Sequence, residues 1–132
     1  ARGELLAGNH VNGLDNGASL PIVLAATCHA ANFSEPRRTS LSETLVLAEN
    51  EGAIAVWAPT GLGFNANSAA LLQAFCGAAY EDGADRLGDA ATRAAERWLA
   101  TVGPEELRKD AVRTFALIGD PALKLNLTTP RR

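Results

Sequence analysis

A chain of 132 residues with 12 Lys and Arg against 15 Asp and Glu has a formal net charge of −3. It offers no clustered basic surface for phosphates, which argues against nucleic acid as a partner. Apolar residues make up 47% and charged residues 20%, the balance of an ordinary globular domain, and no apolar run approaches the ~20 residues that span a bilayer. Two cysteines, Cys28 and Cys76, are too few for a disulfide framework or a zinc site, and no metal or cofactor is expected. The chain has no Met and opens on Ala1-Arg2-Gly3, which reads as part of something longer.

Residues 1–19 are rich in Gly and Asn and predict no more than a short helical turn and a loop. Leu20 to Cys28, LPIVLAATC, follows as an apolar run without alternation. Such runs are strands buried on both faces, as in parallel sheets flanked by helices. Functional groups in those sheets sit just past the strands' carboxyl ends, the place Cys28 would occupy. A polar loop through Pro36, Arg37 and Arg38 leads to Ser40-Leu41-Ser42-Glu43, which fits a capping box opening a helix that Gly52 would stop.

Ala53 to Ala58 predicts a second buried strand, ended by Pro59, Gly61 and Gly63. A helix is expected from Ser68 to about Tyr80, with Leu71, Leu72, Phe75, Cys76 and Ala79 as its apolar stripe. A third spans Leu87 to Leu99, with an alanine-rich side fit for close approach to the sheet. Pro104 opens a short helix whose acidic and basic residues suit its dipole. Thr114 to Ile118 predicts a third strand, halted by Gly119-Asp120-Pro121, and residues 128–132 read as a linker or tail. This order predicts an α/β domain with a parallel sheet and right-handed crossovers, spanning residues 1–127. Three strands are few, so the reading is the carboxyl-terminal portion of a domain whose amino-terminal half lies outside the chain. Leu45, Ile54, Val56, Leu72, Phe75, Trp98, Phe115 and Leu117 are expected to be buried together.

Thr27-Cys28 with a polar loop carrying Phe33, then SLSETLVLAENEGAIAVWAPTG, LGDAATRAAERW and RTFALIGDPALKL, resembles the carboxyl-terminal part of gingipain-type cysteine peptidases. These belong to the caspase-like clan. The resemblance runs from about Leu5 to Leu125. It implies a caspase-like fold and a secreted or cell-surface thiol endopeptidase acting on a peptide or protein substrate. Cys28 falls on the nucleophile position, paired in the family with an upstream histidine that this chain does not contain. The family tends to place glycine two or three residues after the cysteine, where this chain has Ala30 and Ala31. Trp57, Pro59, Thr60 and Gly61 fall where the family builds part of its primary specificity pocket, although a core tryptophan before a glycine-rich loop explains them equally well.

His29 would point away from the sulfur if Cys28 and His29 were neighbours on a strand, and His10 aligns with a polar surface position. Neither is assigned as the base. Cys76 is expected in the core, Glu43 as a cap and Asp120 as a turn former. Asn32-Phe33-Ser34 and Asn126-Leu127-Thr128 match glycosylation sequons by chance. Two alternatives stay open: a caspase-like peptidase of the CHAT type, and an inactive scaffold that binds a protein partner, favoured by the absent loop glycine.

Overall fold

The computed structural model describes residues 6–127. Its elements, in chain order, are α1 (Gly8–Val11), β1 (Ile22–Leu24), α2 (Leu41–Leu47), β2 (Ala55–Pro59), α3 (Asn65–Tyr80), α4 (Leu87–Leu99), α5 (Glu105–Thr114) and β3 (Phe115–Ile118). β1 pairs in parallel with β2, matching Ile22 to Ala55 and Leu24 to Trp57. β3 pairs with the other edge of β2 and runs antiparallel, from Phe115 opposite Pro59 to Ile118 opposite Val56. The all-parallel sheet read from the sequence is therefore corrected at β3. A parallel entry needs a crossover back to the start of β2. Here α5 passes straight into β3, and Phe115 begins opposite the residue where β2 ends.

The chain divides into two units. One comprises the chain through Leu62 together with Phe115–Gly119. In it β2 is buried along its whole length, while β1 and β3 are half-buried edges. Val11, Leu45, Val56 and Ala58 form its core with Ala30, Ala31 and Ala53. The cap of α2 forms as the sequence predicts: Ser40 Oγ accepts from Glu43 N–H, and Glu43 Oε2 accepts from Ser40 N–H at 2.9 Å. Helix α2 ends at Leu47, five residues before Gly52, so that glycine shapes the turn into β2 and not the helix end.

The other unit comprises Gly63–Thr114 and the chain from Asp120. Helices α3 and α4 pack together over Leu71, Phe75, Ala78, Leu87, Ala90 and Ala94. The alanine face expected to lie on the sheet packs on a helix instead. Asp120 Oδ1 accepts from Ala122 N–H at 2.8 Å, so the aspartate forms its turn after Pro121. The following segment lies beside the start of α4, with Leu87 N–H donating to Leu123 O at 2.9 Å.

Several burial expectations are corrected. Leu45, Val56 and Phe75 are buried, but Leu72, Trp98, Phe115 and Leu117 are only half-buried, and the set divides between the two units. Ile54 is 40% exposed because the strand begins one residue later, at Ala55. Cys76 is exposed: Ser68, Leu71, Phe75, Ala78 and Ala79 define the buried side of α3, and Cys76 lies off it. The expected tail, residues 128–132, lies outside the described residues. No helix among the described residues is long and apolar enough to cross a membrane.

Candidate active site

β1 ends at Leu24, well short of Cys28. Alanines pack poorly on a pleated sheet, and the Ala25-Ala26 pair is where the chain leaves it. Ala25 N–H makes one more ladder-like bond, to Trp57 O at 3.1 Å, before the chain turns through residues 28–31. Half-buried Cys28 thus sits in a turn beyond the strand, and not on it.

That turn is clamped from two sides. Ala30 O accepts from both Ser42 N–H (2.9 Å) and Ser42 Oγ–H (2.7 Å) in the first turn of α2. Ser42 is fully buried there. From the carboxyl end of β2, Pro59 O accepts from Ala31 N–H (2.9 Å) and Gly61 O from His29 N–H (3.1 Å). Removing one partner of a buried bond leaves the other unsatisfied at a cost of ~1–3 kcal/mol, so the turn around Cys28 is held stiffly.

The strand geometry used to set His29 aside does not apply. His29 has φ 60°, a left-handed residue directly after Cys28. Ala30 and Ala31 do not have positive φ, and their methyl groups are buried in the core. The family's glycine is therefore not required at either position.

Cys28 lines an open cleft of about 690 Å³, shared with His29, Asn32, Glu35, Arg38 and Ser40 and floored on one side by Ala7 to Asn9. Ser40 is held by its cap: its hydroxyl donates to Glu43 Oε2 at 2.7 Å. The Ser40 backbone N–H and then its hydroxyl hold the Glu43 carboxyl below the usual carboxylate range. A depressed folded-state value stabilises the protein above the unfolded-state value, and that contribution disappears as pH falls through the folded-state value. The thermal midpoint of the Glu43→Gln variant should therefore lie below that of the native chain at pH 7. The gap should close as the pH is taken below ~4.

The four expected pocket residues are placed differently from one another. Trp57 and Pro59 are buried in β2, with the Trp57 ring 5.0 Å from that of Phe115 at an interplanar angle of 58°. Thr60 and Gly61 follow, half-buried. None of the four lines the Cys28 cleft, yet the Pro59 and Gly61 carbonyls hold its turn. His10 Nδ1 accepts from Ala7 N–H at 3.2 Å, a local cap on α1. Asn32 Oδ1 accepts from Ser34 N–H and Oγ–H, closing a small turn at the cleft rim. The lining by Asn32, Glu35 and Arg38 was not read from the sequence, because polar loop residues without periodicity carry no signal of where they fold. Among the described residues, no three His, Cys, Asp or Glu side chains are grouped to hold a metal ion.

The sheet and its flanking helices form a fold shared with the gingipains. The crystal structure of the Arg-specific cysteine proteinase gingipain R (RgpB) superposes with a TM-score of 0.74 at 17% identity, covering 91% of this chain and 29% of that one. The complex of Porphyromonas gingivalis RgpB pro- and mature domains gives a TM-score of 0.80 at 18% identity, covering 89% and 29%. This chain thus spans about 29% of the length of the solved structures it matches. A search among curated protein sequences found no match. The sequence matches peptidase family C25 over residues 1–126, and the chain belongs to that family.

Proposed function

We propose that this chain is the nucleophile-bearing part of a cysteine-type endopeptidase, with Cys28 as nucleophile and a histidine base supplied from outside residues 1–132. The observation that carries the reading is the clamped turn at residues 28–31, opening on a cleft, in a chain that matches family C25 almost throughout. The base takes the thiol proton, and the thiolate sulfur adds to the scissile carbonyl. The amine leaves with that proton, and water then cleaves the thioester to regenerate the thiol. A stiff turn suits this chemistry, because the sulfur must meet the carbonyl within a few tenths of an ångström of one geometry.

Thr60 and Gly61, half-buried after β2, serve the substrate beside the cleft, with buried Trp57 and Pro59 supporting them from within the strand, and the Gly61 bond to His29 ties this loop to the Cys28 turn. Action outside the cell or at its surface goes with the family likeness. The inactive-scaffold alternative loses its main support, since Ala30 and Ala31 sit in the turn without strain. The CHAT-type alternative gives way to the C25 match.

In a protein carrying these residues together with the histidine-bearing segment, Cys28→Ala should reduce peptide cleavage to the uncatalysed level without changing the far-UV CD spectrum. A peptidyl acyloxymethyl ketone should label Cys28 and spare Cys76. Exposure alone favours Cys76, so the expected preference tests thiol activation and substrate binding, not access. Undiminished cleavage by the Cys28→Ala protein would end this reading.

A further inference from the structure

Ser42 carries a hydroxyl that helix α2 does not need. The side chain is fully buried in the first turn of the helix, where its hydroxyl is cut off from water. The start of α2 is capped without it, because Ser40 Oγ accepts from Glu43 N–H. Ser42 N–H is satisfied too, donating to Ala30 O at 2.9 Å. The hydroxyl adds a second donor to that same oxygen, at 2.7 Å.

Those two bonds hold the far end of the turn that carries Cys28. Thr27 O accepts from Ala30 N–H at 3.3 Å, closing a β-turn with Cys28 second and His29 third. His29 has φ 60°, in the left-handed region that a type II turn requires at its third position. A residue with a Cβ keeps that conformation only at a cost, and the closing bond is a long one. The turn therefore depends on its anchors. Pro59 O and Gly61 O hold Ala31 N–H and His29 N–H through backbone carbonyls, whereas Ser42 holds Ala30 O with a side chain as well.

We propose that Ser42 is a positioning residue for Cys28: its hydroxyl gives Ala30 O a second donor and so fixes the turn that presents Cys28 to the cleft. Its use in cleavage rests on Cys28 being the nucleophile. Its hold on the turn does not. Removing the hydroxyl leaves Ala30 O with one bond and Ser42 N–H with its acceptor, so no buried group is orphaned and the fold loses little. The turn loses a restraint, and a sulfur displaced by a fraction of an ångström meets the scissile carbonyl less often in a productive geometry.

The test is Ser42→Ala in a protein carrying these residues together with the histidine-bearing segment, with Cys28→Ala as the blank. Titration with a peptidyl acyloxymethyl ketone counts the competent sites, so that turnover is expressed per site. The kcat per site should fall roughly tenfold with KM unchanged, less than the ~10²-fold that a 1 Å misplacement can cost. The thermal midpoint should move by no more than about 4 °C, the size of one net hydrogen bond in a domain of this length. By NMR, the His29 and Ala31 amides should exchange with deuterium about tenfold faster, whereas Ala53 N–H, bonded to Leu45 O, should keep its rate. A serine with a merely structural role would lower the midpoint and the count of sites and leave kcat per site as it was. That result would overturn the proposal, and so would unchanged exchange at His29 and Ala31. Cleavage that persists in the Cys28→Ala blank is a different failure, that of the nucleophile assignment, and the exchange rates still decide whether Ser42 holds the turn.

Discussion

Replacing Gly52 by alanine should lower the thermal midpoint by roughly 10 °C, at least twice the loss from the same change at Gly83. Both glycines have positive φ, 90° and 61°, so both substitutions carry the left-handed penalty of ~1–2 kcal/mol. A Cβ on Gly83 meets nothing within 4 Å. A Cβ on Gly52 would collide with the carbonyl oxygen of Leu45 and stand 3.1 Å from Ala48 Cβ. That oxygen accepts from Ala53 N–H at 2.9 Å, so moving aside breaks the bond that starts the path into β2. Gly52 cannot yield either: its N–H donates to Asn16 Oδ1 and its carbonyl accepts from Asn16 Nδ2, each at 3.0 Å. Forcing atoms into a filled site adds ~1–3 kcal/mol, giving a total of about 3 kcal/mol or more. A chain of this length loses roughly 3–5 °C per kcal/mol. Thermal unfolding followed by circular dichroism separates the two variants, and equal losses would show that the Leu45 contact is not the cause.

How much of this fold could be read from the sequence depended on whether a local signal existed. Helix α4 was legible from Leu87 to Leu99 because its polar and apolar residues are cleanly sorted. The start of α2 was legible because Ser40 and Glu43 cap it through side chains. Helix α3 begins at Asn65, three residues before the expected Ser68, and its N-cap is Phe64, which makes no side-chain bond. Nothing in the sequence marks such a start. The same helix is apolar nearly all round its second half, so the buried side could not be told from the exposed one, and Cys76 was assigned to the wrong face. The direction of β3 had no local signal either, since strand polarity is settled by where the chain enters the sheet.

Of the candidate site, the sequence drew attention to Cys28 and not to the rim of the cleft. Cys28 stood out because an apolar run ended on a thiol, yet the strand stops at Leu24 and the residue sits in a turn that lines the cleft. The clamps on the turn are carbonyls of Ala30, Pro59 and Gly61, and backbone acceptors leave no trace in residue identity. The left-handed φ of His29 was equally silent, because histidine is compatible with it but does not announce it. Reading the turn as strand then rested the relation between Cys28 and His29 on a geometry the chain does not have there.

Residues 1–132 on their own should not hydrolyse peptides. A thiol is a poor nucleophile until a placed base takes its proton and later returns it to the leaving amine. His10 Nδ1 already accepts from Ala7 N–H, and His29 is exposed to solvent directly after Cys28. Loss of general acid–base catalysis alone removes on the order of 10²–10⁴ in rate, before any missing oxyanion contact is counted. The chain also leaves β1 as a sheet edge with a row of backbone groups open to pairing, so self-association by light scattering is expected alongside inactivity. If a histidine-bearing segment supplies the base as proposed and pairs with β1, adding it in cis or as a separate chain should restore cleavage and disperse the aggregates together. Changing that histidine to alanine should remove cleavage while leaving the chain dispersed, which separates chemistry from assembly. Robust hydrolysis by the 132 residues alone, lost in Cys28→Ala, would overturn the external base and bring His29 forward as the group that takes the proton.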